Sequence, residues 1–209
     1  MGRKGGIVSY GIDMVAFGIA LALAYFFKWQ TTDLIWSLWL GSLVVGYLTL
    51  ATGILSDKVL NNKEEVSLKD KVVSALSTLA FFTCHFGFFH FIHSVFLQGF
   101  FPLEEDPNSS PFRIFPLTFQ VLIPKYGWFL IPALIVQRLH LLKPLLGRQV
   151  KKEDNPKAAG APYMNVIKMH FLIFFFGACS FFNLENFFIY AIVYAFYFFP
   201  WVIIFKKKA

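Results

Sequence analysis

Charge is what this sequence has least of. Only 15 % of its residues are Asp, Glu, Lys or Arg, where an ordinary soluble domain carries about 25 %. Acidic residues are the scarcer sign, 12 against 19 basic ones. Cysteine is nearly absent: Cys84 and Cys179 stand alone, each inside an apolar block. That excludes a disulfide framework and predicts two buried thiols. No apolar block holds paired carboxylates, and there is no Gly-x-Ser-x-Gly, no phosphate loop and no His-Glu-x-x-His. The hydrolase, nucleotide and zinc-protease readings therefore lose their motifs. No internal repeat divides the chain, and residues 1–209 read as a single transmembrane domain.

Apolar side chains fill the space that charge leaves. The chain is 57 % hydrophobic and contains 28 Phe. These residues come in long blocks at 7–27, 34–55, 72–101, 119–136, 163–182 and 187–205. A bilayer core ~30 Å thick takes ~20 mostly apolar residues as a helix. The expected fold is thus all-α: an integral membrane bundle of six transmembrane helices. The first block is too long for a signal-peptide core and no small-residue cleavage site follows it, so it reads as a retained helix. Trp36 and Trp39 open the second block, where amphipathic aromatics favour the membrane interface. The fourth block contains Pro124, Lys125 and Pro132 and is expected to be kinked or to start late. Residues 138–162 read as a basic connection carrying Arg138 and His140. Asn183 to Asn186 form a short turn that makes the last two blocks an antiparallel hairpin.

The basic residues set the orientation. Alternating the segments puts fifteen of the nineteen Lys and Arg on one side, together with both chain ends. Lys28, Arg113 and Lys125 fall on the other side, and Lys168 lies within the fifth block. By the positive-inside rule the N- and C-termini are cytoplasmic, and the location is the cell inner (plasma) membrane, multi-pass. The net charge of +7 reads as orientation. The lipid bilayer is the expected partner, and nucleic acid is not.

Three of the five histidines, His85, His90 and His93, fall in the third block. Ionisable side chains at membrane depth are costly and mark candidate sites. On a straight helix His85 and His93 lie about 80° and two turns apart, so they share a broad face without chelating one ion. His90 and His93, three residues apart, are able to. His85 needs ligands from other helices, or an axial place on a flat cofactor. His170 and Lys168 in the fifth block lie at a depth similar to Asp13 in the first, so Asp13 is expected to pair with Lys168 or His170. Three readings of the histidines stand. Each imidazole hydrogen-bonds a carbonyl or hydroxyl and ties helices together. Alternatively, His85 with His170, or His90 with His93, holds zinc, iron or haem. The third reading is pigment or proton handling within a larger complex. His140 is expected to be exposed.

His85-Phe86-Gly87, then Phe89, Ile92-His93 and Phe96, resemble the signature of a family of small polytopic prokaryotic membrane proteins known as domain of unknown function 6498. Pro162-Tyr163 with Val166 and His170, and Leu38-Trp39-Leu40-Gly41 through Gly46, resemble that family's fifth and second spans. The resemblance covers nearly the whole chain and raises His85, His93 and His170 above His90 and His140 as site residues. Two positions depart from the pattern: Gly41 stands where it has an acidic residue, and Gln137 where it has a histidine. The family has no assigned activity, so no reaction is implied. The leading expectation is an intramembrane site binding a metal ion (zinc or iron) or haem/porphyrin through His85, His93 and His170. The rival is a non-catalytic accessory subunit of a larger membrane protein complex, energy-transducing, pigment-containing or transport, which the two departures favour. A transporter is a weaker third, hinted at only by the span with Pro124 and Pro132.

Overall fold

The computed structural model describes residues 2–55, 67–103, 113 and 118–145, with isolated helical positions at Phe171, Phe174, Phe175, Ala178, Ala191, Ile192 and Ala195. Among these residues there are helices and connections and no strand. The helices are α1 (Gly2–Phe26), α2 (Thr31–Leu55), α3 (Leu68–Phe82), α4 (Phe88–Phe100), α5 (Ile123–Tyr126) and α6 (Leu130–Leu145). A π-helical turn at Thr83–Gly87 joins α3 and α4 into one rod. Two helices are long and apolar enough to cross a membrane: Thr31–Leu55, with mean hydropathy 1.8, and Lys69–Phe100, with 1.6. The all-α expectation thus holds for the described residues. Most of the last two apolar blocks, with Lys168, His170 and Cys179, lies outside them.

The connection between α1 and α2 is short because its hydrogen bonds are closed locally. Trp29 N–H reaches back to Ala24 O at 2.9 Å and Lys28 N–H to Tyr25 O at 3.1 Å, the paired bonds of a Schellman motif. The motif demands a left-handed residue, and Lys28 takes it with φ 52°. An L side chain is strained there by about 1–2 kcal/mol, part of which glycine gives back through its freer unfolded chain. Lys28→Gly should therefore raise stability by about 0.5–1 kcal/mol, read as a higher thermal midpoint in detergent.

α2 starts immediately afterwards. The Asp33 carboxylate accepts from Gln30 N–H at 3.0 Å, one half of a capping box. Asp33, just ahead of the apolar block 34–55, belongs to the first turn of α2. At α3, the Ser67 hydroxyl accepts from Lys69 N–H at 3.3 Å and caps the helix.

The fourth block is broken, as its prolines predict. A π turn at Thr118–Leu122 runs into α5, which carries Pro124 in its first turn, and a 3-10 turn at Gly127–Phe129 leads to α6. Pro132 falls in the first turn of α6, where its missing N–H costs nothing. α6 then runs on to Leu145. That corrects the expected end at residue 136 and puts Arg138 on a helix rather than in a loop.

α2 is the centre of the packing, in contact with α6 on one side and with the α3–α4 rod on the other, while α1 lies on α6. Leu34 through Gly41 are all buried, as a helix enclosed on every side requires. α1 buries Ala16, Ala20 and Ala24 completely, a small-residue stripe that lets helices approach closely. The rod differs. Only 6 % of its most apolar window is buried, against 33 % for α2, and Val72, Val73, Leu76, Phe81, Phe88 and Phe96 are exposed. An apolar face of that extent is one that lipid or another protein covers.

Candidate histidine site

Two tryptophans fasten α2 to the rod. The Trp36 indole N–H donates to Phe101 O at 2.8 Å, and the Trp39 N–H to His90 O at 3.0 Å. Phe101 follows the last turn of α4, where backbone carbonyls lack helical partners. Both indoles are almost fully buried. They are inter-helix donors, not the interface anchors that their place near the start of α2 suggested.

The π turn at Thr83–Gly87 lies just before the two inward histidines. It adds one residue to a helical turn, which rotates all that follows by about 100° relative to a straight helix. Phe86, inside the turn, is 1 % exposed. It lies flat on Phe82, with centroids 4.5 Å apart, and fills the notch left by Gly46, where a Cβ would collide with the ring. Tyr47 meets Phe82 and Phe86 edge-on. On the far side of the rod, His85 is exposed. It lies parallel to Phe81 at 5.7 Å and edge-on to Phe89 at 5.1 Å. Cys84 is exposed as well, which corrects the expected buried thiol: its face of the rod does not meet α2.

His90 and His93 face inward, each 3 % exposed. His90 Nδ1 is 3.1 Å from Phe86 O. A carbonyl only accepts, so Nδ1 holds the ring proton and Nε2 carries the lone pair of a neutral imidazole. That lone pair accepts from the Ser42 hydroxyl on α2, at 3.3 Å. The His90 ring sits 4.2 Å from Phe86, 5.9 Å from Trp39 and 6.2 Å from the ring of His93, which stands nearly perpendicular to it.

The structure thus brings His90 and His93 together and leaves His85 exposed. The broad shared face expected for His85 and His93 is not buried as one: His93 is buried and His85 is exposed. His170 lies outside the described residues. Among the described residues no three His, Cys, Asp or Glu side chains converge as metal ligands. His90, ranked below the others on the resemblance, has both ring nitrogens engaged. Its signal was available in the sequence, since spacings of three and four on a helix put residues 86, 90 and 93 on one face.

Asp13 and Asp33 each take part in an ion pair among the described residues. Asp13 accepts from Arg138 at 2.6 Å, and Arg138 also reaches Ile135 O at 2.6 Å. The described partner of Asp13 is therefore Arg138, whereas Lys168 and His170, expected to fill that place, fall outside the described residues. Asp33 accepts from Lys125 at 2.6 Å and from the Tyr126 hydroxyl at 2.8 Å. Gly41 faces α6: a Cβ there would stand in ordinary contact with Phe129 and Ala133, at 3.8 and 3.9 Å. Gln137 comes one turn after Ala133 on α6. Both departures from the family pattern thus concern helices α2 and α6, not the histidine face.

Among the described residues these features define an all-helical arrangement with two helices long and apolar enough to cross a membrane and a buried pair of imidazoles where they meet. The chain belongs to the Family of unknown function (DUF6498), whose model matches residues 15–199. No curated protein and no solved structure matches it.

Proposed function

We propose that this chain is a multi-pass inner-membrane protein of six spans, with both ends cytoplasmic, whose third span binds a transition metal or haem through histidine. The carrying observation is the π turn at Thr83–Gly87. It lies in the middle of a membrane-length helix, contains His85, and separates it from His90 and His93. Single π turns inside α-helices are frequent at functional sites. Histidine is the commonest metal ligand, and zinc, iron and haem suit neutral imidazole. His85, His93 and His170 are the candidate ligands from sequence, and His90 joins them on its place beside His93. Protein purified from native membrane should carry a metal by elemental analysis or a haem band by absorption. A folded protein empty of both overturns the proposal.

A second reading has its own observation, the exposed apolar face of the α3–α4 rod. There the chain is an accessory subunit that lays this face on a larger membrane complex. Extraction in gentle detergent should then recover stoichiometric partners, and a stable lone monomer counts against it.

A further inference from the structure

We infer that the inward face of the rod, rather than His85, is a binding site for a soft monovalent cation, copper(I) by chemistry, held by His90 Nε2 and His93 with the Ser42 hydroxyl beside them. The inference rests on the histidine-binding reading above and names its residues and its ligand class. A metal-ligating histidine characteristically donates its other ring N–H to a carbonyl or carboxylate, which fixes the tautomer and aims the free nitrogen. His90 has this arrangement already: Nδ1 is committed to Phe86 O at 3.1 Å, and Nε2 presents its lone pair toward Ser42 at 3.3 Å. The His93 ring, centred 6.2 Å away, is near enough for one ion to lie between the two imidazoles at ~2.0–2.1 Å from a nitrogen of each.

The ligand class follows from what surrounds the pair. The nearby walls are aromatic, Trp39 at 5.9 Å and Phe86 at 4.2 Å from the His90 ring. Among the described residues no carboxylate or thiolate joins the two histidines in a three-ligand group. A divalent ion there would keep two charges uncompensated in a buried place, which is costly. A monovalent d10 ion needs only two or three ligands, imidazole suits copper, and a cation within about 6 Å of an aromatic face gains from it. Binding is reversible and changes no oxidation state.

The full chain in detergent, with Cys84→Ser and Cys179→Ser to remove competing thiols, is titrated with silver(I), the air-stable stand-in for copper(I), and with zinc(II). Expected are one equivalent of silver(I) bound, quenched tryptophan emission from the nearby Trp39, and zinc at least tenfold weaker. His90→Gln and His93→Gln should each weaken silver(I) at least tenfold, while Val72→Ala, on the exposed face of the rod, changes it less than twofold. Near-ultraviolet circular dichroism identifies any variant that misfolds. Should one of the two Gln variants misfold, the other and the metal preference still decide. Equal affinity in a folded His90→Gln or His93→Gln protein overturns the inference, as does a preference for zinc. If native-membrane protein carries metal or haem that His85→Ala or His170→Ala strips and His90→Gln leaves, the inference fails and the broader reading stands. A protein that arrives empty and refuses silver(I) removes both.

Discussion

Gly46→Ala should destabilise the protein by about 1–3 kcal/mol, the usual cost of overpacking a filled interior. Helix propensity alone argues for the opposite sign, since alanine is favoured over glycine by about 1 kcal/mol in a helix interior. The position decides. A Cβ on Gly46 would collide with the ring of Phe86, and that ring has nowhere to retreat: Phe82 is stacked on it, His90 lies 4.2 Å away and Tyr47 meets it edge-on. The strain should pass into the π turn and move His90, because Phe86 O is the acceptor for its Nδ1. The check is thermal unfolding in detergent. Phe86→Leu should recover part of the loss in the Gly46→Ala background while costing stability in the parent. An unchanged or higher midpoint for Gly46→Ala alone would show that the helices are not locked at this point.

The second large effect is expected at the pair between α1 and α6. Removing one partner from a fully buried ion pair costs about 3–5 kcal/mol, because the other charge is stranded. The Arg138 and Asp13 side chains are 18 % and 23 % exposed, so Arg138→Leu should cost less, about 2–3 kcal/mol. Asp13→Leu should cost a similar amount. The double variant should be closer to the parent than either single one, since two apolar side chains strand no charge. A coupling of about 2 kcal/mol in the double-mutant cycle is the expected reading, and strict additivity would mean that the two residues do not interact.

Much of the architecture is legible in the residues. The long apolar blocks give α1, α2 and the α3–α4 rod because a bilayer-length run has few other uses, and Pro124 and Pro132 announce the breaks around α5. The end of α6 was misread because Gln137 and Arg138 look like the polar end of a span. The helix continues because Asp13 compensates Arg138, and that partner lies on another helix. The family itself was legible from His85-Phe86-Gly87 and Ile92-His93. The π turn beside them was not. A wheel of constant pitch carries no extra residue, and nothing in Thr83-Cys84-His85-Phe86-Gly87 announces that this turn is wound more loosely. Cys84 is exposed although its apolar block predicts a buried thiol, because block membership does not say which face of the rod meets α2.

The bond between Asp13 and Arg138 joins positions 125 residues apart. On the proposed multi-pass reading the chain enters a bilayer while it is being made, and this separation is then a delay. At a synthesis rate of about 5–20 residues per second, the first helix waits roughly 6–25 s for its counter-ion to emerge from the ribosome. Throughout that interval the insertion machinery has to shelter the carboxyl group, so slowed translation between α2 and α6 should leave newly made chains more open to membrane quality-control proteases.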